Sequence, residues 1–176
     1  MASIGHVFVG IAAARFARAG QPTTGSPLGA AIVWSGLSLL PDVDVVGFRF
    51  GVHYADSWGH RGATHSFVFA GLAALAVFAL ARATRQPALR TALIAFAVVA
   101  SHPLFDTLTN GGLGCALFWP FSQQRFFAPW TPLPVAPIGR AFLSPRGLRV
   151  AAFEAVAFAP FLVYAFWPRR PRVAAL

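Results

Sequence analysis

Five long apolar segments dominate this sequence and limit the folds that are open to it. They cover residues 2–18, 28–40, 66–81, 91–105 and 150–167. Only 11% of the 176 residues are charged, whereas about a quarter are charged in a typical soluble domain. So few charges cannot coat a globule of this size, and the apolar segments must therefore face lipid. We predict an all-α fold, an integral membrane bundle of about five apolar helices, with residues 1–176 forming one membrane-embedded domain.

The apolar segments are shorter than the roughly 20 residues of an ideal spanning helix. Extension through their polar ends gives several of them enough length, and the first is compatible with a tilted, interfacial or re-entrant helix. Two long connections, 41–65 and 106–149, are rich in Gly, Pro and aromatic residues and have no helical period. Structured loops of this length are often functional, so we expect functional residues in or beside them.

Arginine supplies every basic side chain, and the net charge is +9. The arginines at the ends of apolar segments are Arg15, Arg18, Arg82, Arg85, Arg90, Arg169, Arg170 and Arg172. Membrane proteins keep their cations at such positions. Because the arginines form no single stripe with interleaved aromatic residues, we expect membrane lipid rather than nucleic acid as the partner.

Histidines and acidic residues gather in a few short stretches of the chain. The sequence has five His, four Asp and one Glu, and most of them lie in His6, Pro41-Asp42-Val43-Asp44, His60-Arg61-Gly62-Ala63-Thr64-His65-Ser66 and Ser101-His102-Pro103-Leu104-Phe105-Asp106. A charged side chain inside a bilayer costs at least a few kcal/mol, so such residues are rare and usually functional. These stretches are therefore the candidate site.

The order of the segments predicts that these stretches meet. If consecutive helices are antiparallel, segments two and four end at Asp42 and His102, and segments one and three start at His6 and His65. The four stretches then lie at one end of the bundle and the short arginine-rich turns at the other. The positive-inside rule predicts that the histidine end lies outside the cytoplasm.

Spacing and chemistry favour a metal site at that end. His102 and Asp106 are four residues apart on one helix face, and Asp42 and Asp44 would point the same way in an extended segment. Imidazole and carboxylate ligands suit zinc, with manganese or iron as alternatives. The single cysteine, Cys115, excludes a cysteine zinc site. The predicted ligands are His6, Asp42, Asp44, His60, His65, His102 and Asp106, which is enough for one or two ions.

Three residues are candidates for catalysis, each with an alternative role. Arg61 would hold a phosphate or carboxylate of the substrate, or form a salt bridge with Asp42, Asp44 or Asp106. His60 would act as a ligand or beside one. Glu154, the only Glu, would be a general base or a further ligand, or would pair with Arg149 or Arg146.

Several other residues have less specific predictions. His6 could serve only as a hydrogen-bonding residue within the bundle. We expect His53 and Asp56 to be solvated loop residues. An aromatic stretch would line an acyl pocket or form an interfacial belt, and its members are Phe118, Trp119, Phe121, Phe126, Phe127 and Trp130.

Together the motifs resemble the YdjM-like bacterial inner-membrane proteins, a family of predicted metal-dependent hydrolases. The resemblance rests on His6, PDVD (41–44), HRGATHS (60–66) and SHPLFDTLTNGG (101–112), and it extends from His6 to Gly147. It implies a multi-pass helical protein of the bacterial inner membrane with a divalent-metal hydrolase site.

We therefore expect a membrane-bound hydrolase that uses a metal-activated water, because no G-x-S-x-G nucleophile motif is present. A site at the membrane edge favours a phosphoester or ester of an amphiphilic, lipid-like substrate. The alternative is a non-enzymatic protein that binds or transports a divalent metal. A transporter would place its ligands near the middle of the bilayer, whereas these ligands fall at segment ends.

Overall fold

The computed structural model describes residues 3–19 and 25–168. The arginines Arg169, Arg170 and Arg172 lie outside this range. The described residues form an all-helical bundle, as the apolar segments predicted. Its helices are α1 (Ser3–Arg18), α2 (Pro27–Leu39), α3 (Phe67–Ala83), α4 (Ala88–Thr107), α5 (Pro145–Ala157) and α6 (Ala159–Phe166).

Serine side chains begin three of these helices. Ser26 accepts a hydrogen bond from the amide of Gly29 at the start of α2, and Ser144 does the same for Gly147 in α5. Pro follows each of these two serines, where its missing N–H costs nothing. Ser66 accepts from the amide of Phe69 and starts α3. These caps satisfy amides that a helix leaves unpaired at its first turn.

Small residues let the central helices approach closely. Ala13 of α1, Trp34 of α2 and Ala95 and Val98 of α4 are buried in one cluster. A Cβ atom on Gly10 would collide with the Cα and amide nitrogen of Ser35. Helices in membranes associate through such small residues because lipid supplies no hydrophobic drive between them. The close α1–α2 crossing therefore depends on Gly10.

The outside of the bundle is apolar, whereas its most buried large side chains are polar. Exposed apolar side chains on the helices include Ile32, Leu72, Leu75, Leu93 and Phe166. By contrast, the largest fully buried side chains are headed by Arg61, His6, His65, His102 and Glu154. Such a surface suits lipid, and the buried polar groups are concentrated at one end.

Within residues 3–19 and 25–168, two helical stretches are long and apolar enough to cross a membrane, Pro27–Phe50 and Ala88–Thr107. The fifth apolar segment breaks into α5 and α6, which meet at 50° and could form a third span. Pro160 lies at the start of α6, where its ring prevents an unbroken helix. The five apolar segments are therefore helical, but fewer than five of them meet the criteria for a span.

Part of the first long connection is helical, which the sequence analysis did not predict. Leu40–Phe50 continues α2 as a 3₁₀ helix, and shorter 3₁₀ turns occur at Ala63–His65 and Gly139–Leu143. Three residues per turn place positions i and i+2 about 120° apart. The expectation that Asp42 and Asp44 point the same way from an extended segment was therefore wrong.

We predict that Gly10→Ala destabilises the protein. The added methyl group would press on the Ser35 backbone, and overpacking of this kind costs about 1–3 kcal/mol. Helix propensity acts in the other direction, since Ala is favoured over Gly by about 1 kcal/mol. Thermal unfolding of the detergent-purified protein measures the balance.

Gly36→Ala in α2 is the matched control, because a Cβ atom there meets nothing within 4 Å. We expect its unfolding midpoint to equal or exceed that of the wild type. Equal midpoints for the two variants would argue against a close α1–α2 contact.

Candidate metal centre

Four separate parts of the chain deliver histidine and aspartate side chains to one end of the bundle. Helix α1 supplies His6, the 3₁₀ helix after α2 supplies Asp42 and Asp44, and α4 supplies His102 and Asp106. The loop before α3 adds His60 and His65. All seven predicted ligands therefore lie close together, and all except Asp42 are buried.

The imidazole nitrogens that face the centre of this cluster lie 3.3 to 3.7 Å from the nearest carboxylate oxygens, which is longer than the usual N–H···O distance of about 2.9 Å. His102 Nε2 is 3.3 Å from Asp42 Oδ1, and His65 Nε2 is 3.7 Å from both Asp42 Oδ1 and Asp106 Oδ2. His6 Nε2 is 3.5 Å from Asp106 Oδ1. Two ligands bound tetrahedrally at about 2.1 Å from zinc lie about 3.4 Å apart. The spacing thus fits ligands around an ion better than mutual hydrogen bonding.

The described residues contain two groups of side chains whose ligand atoms lie close enough together to hold an ion. One consists of His6, His102 and Asp106, and the other of Asp42, His60 and His65, with the atoms of each group within 4.8 Å of one another. Among the described residues, the Nε2 atoms of His6, His65 and His102 are buried without a hydrogen-bond partner. An unsatisfied buried nitrogen is costly, and a bound cation would satisfy each of these three. The residues present therefore fit one or two divalent ions.

In His102, His60 and His65, the other ring nitrogen, Nδ1, lies within hydrogen-bond distance of a carbonyl or carboxylate oxygen. His102 Nδ1 lies 2.7 Å from the carbonyl oxygen of Ser38, and His60 Nδ1 lies 2.8 Å from Asp44 Oδ1. His65 Nδ1 lies 3.1 Å from Asp44 Oδ2. When Nδ1 donates a hydrogen bond, Nε2 carries the lone pair. These contacts orient the rings so that Nε2 can accept an ion.

The Asp44 carboxylate is surrounded by hydrogen-bond donors of the protein. Its Oδ2 also accepts hydrogen bonds from the Thr64 hydroxyl at 2.7 Å and from the amide of Arg61 at 3.1 Å. With His60 and His65, four groups therefore surround the two carboxylate oxygens. Asp44 belongs to neither group of candidate ligands. The sequence predicted both Asp42 and Asp44 as ligands, and the structure places Asp42, but not Asp44, in a group of candidate ligand atoms.

His65 is linked to carboxylates on both sides of its ring. Burial by itself lowers the pKa of His65, but the contacts with Asp42 and Asp44 outweigh burial and raise the pKa to about 9. A divalent ion bound at Nε2 would therefore have to displace a proton at neutral pH.

His6 stacks directly on His102. The two ring centroids are 3.6 Å apart and the ring planes differ by 11°. The stacking places His6 on the α4 side of the cluster, opposite the loop that carries His60. His6 is thus part of the cluster and is not an isolated histidine on an apolar face.

Arg61 is buried and lies beside Asp106. Its Nε lies 3.0 Å from Asp106 Oδ2, and its Nη1 donates to the carbonyl oxygen of Gly111 at 3.0 Å. Burial opposes its charge, but the Asp106 carboxylate outweighs burial and raises the pKa of Arg61. Gly112, with φ +85°, lies against the guanidinium, where a Cβ atom would be 3.1 Å from Nη1. The predicted salt bridge to an aspartate is therefore present.

A pocket of about 290 Å³ opens onto this cluster. Asp42, His60 and Arg61 line its polar part, and Val135 and Ile138 belong to its apolar wall. The segment 135–142 was not singled out in the sequence, because it has neither periodicity nor chemistry of its own. Its position follows from contacts with residues far away in the chain, such as the bond from the Val135 amide to the Asn110 side chain.

Two further residues hold the histidines in place, and the sequence did not predict these roles. Ser38 holds His102 through its backbone carbonyl, which any residue type could supply. Arg125 donates from Nη1 to the His60 carbonyl oxygen and from Nη2 to those of Tyr54 and Asp56. Arg125 thereby fixes the loop that carries the histidines. Its place in the segment similar to the YdjM-like proteins was the available signal.

The remaining candidates belong to neither group of candidate ligands. Glu154 is fully buried, and its Oε2 accepts the amide of Gly5 at 3.2 Å, beside His6. Its catalytic role stays a prediction. His53 and Asp56 are exposed, as expected. Cys115 is buried, burial raises the pKa of its thiol, and it belongs to neither group of candidate ligands.

The aromatic stretch faces outwards. Phe121 is 88% exposed and Trp130 is 74% exposed, and neither lines the pocket at the cluster. Phe118 packs edge-on against Phe67 and Phe126. This exposure favours an interfacial belt over an acyl pocket.

Comparison with known protein families matches residues 1–171 to the YdjM inner membrane protein family. The chain belongs to this family. It is also 43% identical over 120 residues to the inner membrane protein YbcI of Escherichia coli strain K12, an alignment that covers 67% of this chain and 69% of YbcI. No solved structure matches the chain. The resemblance predicted from the motifs is thus confirmed, and this YdjM-family chain is an inner membrane protein.

The geometry predicts different effects for the two aspartates of the 41–44 motif. We expect Asp42→Asn to abolish binding of at least one divalent ion, because Asp42 faces Nε2 of both His65 and His102. Asp44→Asn should weaken binding by about 10–100-fold without changing the stoichiometry, which is usual for a residue that orients a ligand. Elemental analysis and titration with Zn²⁺ measure both quantities.

Asp56→Asn is the matched control, because this aspartate is exposed and lies outside the cluster. It should bind Zn²⁺ like the wild type. Loss of stoichiometry in Asp44→Asn together with retention in Asp42→Asn would reverse the assignment.

Proposed function

We propose that this YdjM-family protein is a membrane-bound, metal-dependent hydrolase that acts on a phosphoester or ester of an amphiphilic substrate. The observation that carries the proposal is the pocket at the His/Asp cluster. A polar part made by Asp42, His60 and Arg61 meets an apolar wall that includes Val135 and Ile138. This combination suits a substrate with a polar reactive group and an apolar remainder.

The candidate ligands suit zinc, and also manganese or iron. His6, His102 and Asp106 would hold one ion, and Asp42 and His65 would hold a second or complete the first. A divalent ion bound there would supply Lewis acidity and activate water at neutral pH.

The protein side chains would bind the substrate and move the proton. Arg61 would bind an anionic group of the substrate, because its guanidinium carries five donors and only some are used by Asp106 and Gly111. His60 would accept the proton of the attacking water at Nε2, since Asp44 holds its Nδ1. The water oxygen would form a bond to the phosphorus or acyl carbon as the bond to the leaving oxygen breaks, and His60 would pass the proton that it accepted to that leaving oxygen.

The alternative function is binding or transport of a divalent metal without turnover. Transporters usually place their sites near the middle of the bilayer on interrupted helices. Here the candidate ligands lie where α2 gives way to its 3₁₀ extension and α4 approaches its end. This position favours an enzyme that meets its substrate at the membrane edge.

Turnover and metal content test the two functions together. We expect the purified protein to contain zinc or another divalent metal and to release product from a panel of phospholipids and carboxyl esters. A chelator, His102→Ala and Asp106→Ala should each lower the rate by at least about 100-fold, the scale of a lost metal or ligand. The exposed His53→Ala should keep full activity.

Activity in His102→Ala and Asp106→Ala equal to that of the wild type would refute the hydrolase proposal. Stoichiometric metal without turnover on the whole panel would favour the binding function.

His60→Ala separates the two roles of that residue. As a proton acceptor, His60 can be replaced without loss of metal, and we expect unchanged Zn²⁺ stoichiometry with a rate lower by about 10²–10⁴-fold. As a ligand, it would take one ion with it when replaced. Zn²⁺ content and initial rates on the same sample measure both.

A further inference from the structure

A second cavity is almost entirely apolar and extends along the bundle from beside the polar cluster towards the opposite end. It has a volume of about 700 Å³ and lies between α1, α4 and α6. Its lining follows α4 from Leu93 to Phe105 and includes Phe16 of α1 and Tyr164 of α6. In this YdjM-family membrane protein, the cavity is a groove on the lipid-facing side of the bundle.

The length of this groove corresponds to one lipid leaflet. Twelve residues separate Leu93 from Phe105, which is about 18 Å along a helix. Half of the hydrocarbon core of a bilayer is about 15 Å thick. An acyl chain that enters from one surface would therefore extend along most of the groove.

Two arginines stand at the end of the groove that is remote from the histidines. The guanidinium carbon of Arg15 lies 5.2 Å from the centre of the Tyr164 ring, and that of Arg90 lies 6.0 Å from the Phe16 ring. Both rings line the groove. The arginines thus place positive charge beside one end of an apolar channel.

The helix ends hold these guanidinium groups in position. Arg90 donates from Nη1 to the Ala17 carbonyl oxygen at 2.8 Å and from Nη2 to that of Phe16 at 3.0 Å, at the end of α1. Arg15 donates to the Ala165 carbonyl oxygen in α6 at 2.9 Å. Carbonyl groups at helix C-termini favour cations, so the two charges are fixed before any ligand arrives.

Charge is divided unequally between the two ends of the molecule. The five acidic side chains, Asp42, Asp44, Asp56, Asp106 and Glu154, lie at or near the histidine end. The opposite end carries Arg15, Arg18, Arg82, Arg85 and Arg90. An anionic headgroup is therefore the complementary ligand there, and basic pockets between transmembrane helices bind such headgroups.

We propose that this groove binds one anionic phospholipid, with an acyl chain between α1, α4 and α6 and the phosphate beside Arg90 and Arg15. The site is separate from the candidate metal centre and does not depend on hydrolase activity. Its ligand is a lipid that belongs to the surrounding membrane.

Native mass spectrometry of the full chain in detergent tests the proposal with two synthetic lipids of identical acyl chains, phosphatidylglycerol and phosphatidylcholine. We expect one phosphatidylglycerol per chain, bound at least about fivefold more tightly than phosphatidylcholine, because each arginine near the headgroup contributes about that factor. Arg90→Gln should lower this preference by about fivefold, and Arg90→Lys should retain most of it. Ala97→Phe, which fills the groove from α4, should weaken binding of both lipids.

Matched controls come from α3, which does not line the groove. Arg82→Gln removes a charge at the same end of the molecule, and Ala76→Phe adds an exposed ring on another helix; both should bind lipid like the wild type. Unfolding midpoints identify any variant that fails to fold. Equal retention of the two lipids by the wild type, or unchanged binding in Ala97→Phe, would overturn the proposal. A lipid-free dimer that Ala97→Phe disrupts would instead assign the groove to a second copy of the chain.

Discussion

Hydrogen bonds on the outer side of the histidines position the rest of the candidate site. Ser38 and Asp44 hold the Nδ1 atoms of His102, His60 and His65, and both residues lie on the continuous stretch formed by α2 and its 3₁₀ extension. With Nδ1 engaged in this way, Nε2 of His65 and of His102 has no hydrogen-bond partner and lies 3.3 to 3.7 Å from carboxylate oxygens, a distance that suits an ion between them. A shift of this stretch would therefore move the hydrogen-bond acceptors of three imidazoles at once, which is why the close α1–α2 contact at Gly10 matters to the site.

Buried charge imposes the second constraint. Arg61 and Asp106 are each about 1% exposed, and removing one member of a buried ion pair costs about 3–5 kcal/mol because the other charge is left without compensation. The backbone at Arg61 has φ 64°, a conformation that is uncommon for a residue with a side chain and that occurs most often at functional sites. The positive φ of Arg61 and its ion pair with Asp106 hold its guanidinium beside the proposed metal centre. Gly112 leaves the space for the guanidinium because it has no side chain.

The two ends of the bundle have opposite chemistry. Imidazoles, carboxylates and a polar pocket occupy one end, and arginines bound to helix C-termini occupy the other. The apolar helices between them satisfy their backbone groups internally, as a membrane requires, and present apolar side chains to lipid. A reaction at the first end would therefore not require a lipid bound at the second.

The sequence by itself determined the membrane setting, the five apolar segments, the family resemblance and the end of the bundle at which the histidines meet. These properties follow from hydrophobicity, the order of the segments and short motifs, all of which are local or depend only on connectivity. Only the tertiary structure distinguished Asp42 from Asp44, paired Arg61 with Asp106, assigned the Ser38 carbonyl to His102 and brought Val135 to the pocket. Each of these contacts joins residues 16 to about 90 positions apart or depends on the twist of an unexpected 3₁₀ helix. Such contacts are decided by packing, because the residue types involved are compatible with several partners until the backbone fixes their distances and directions.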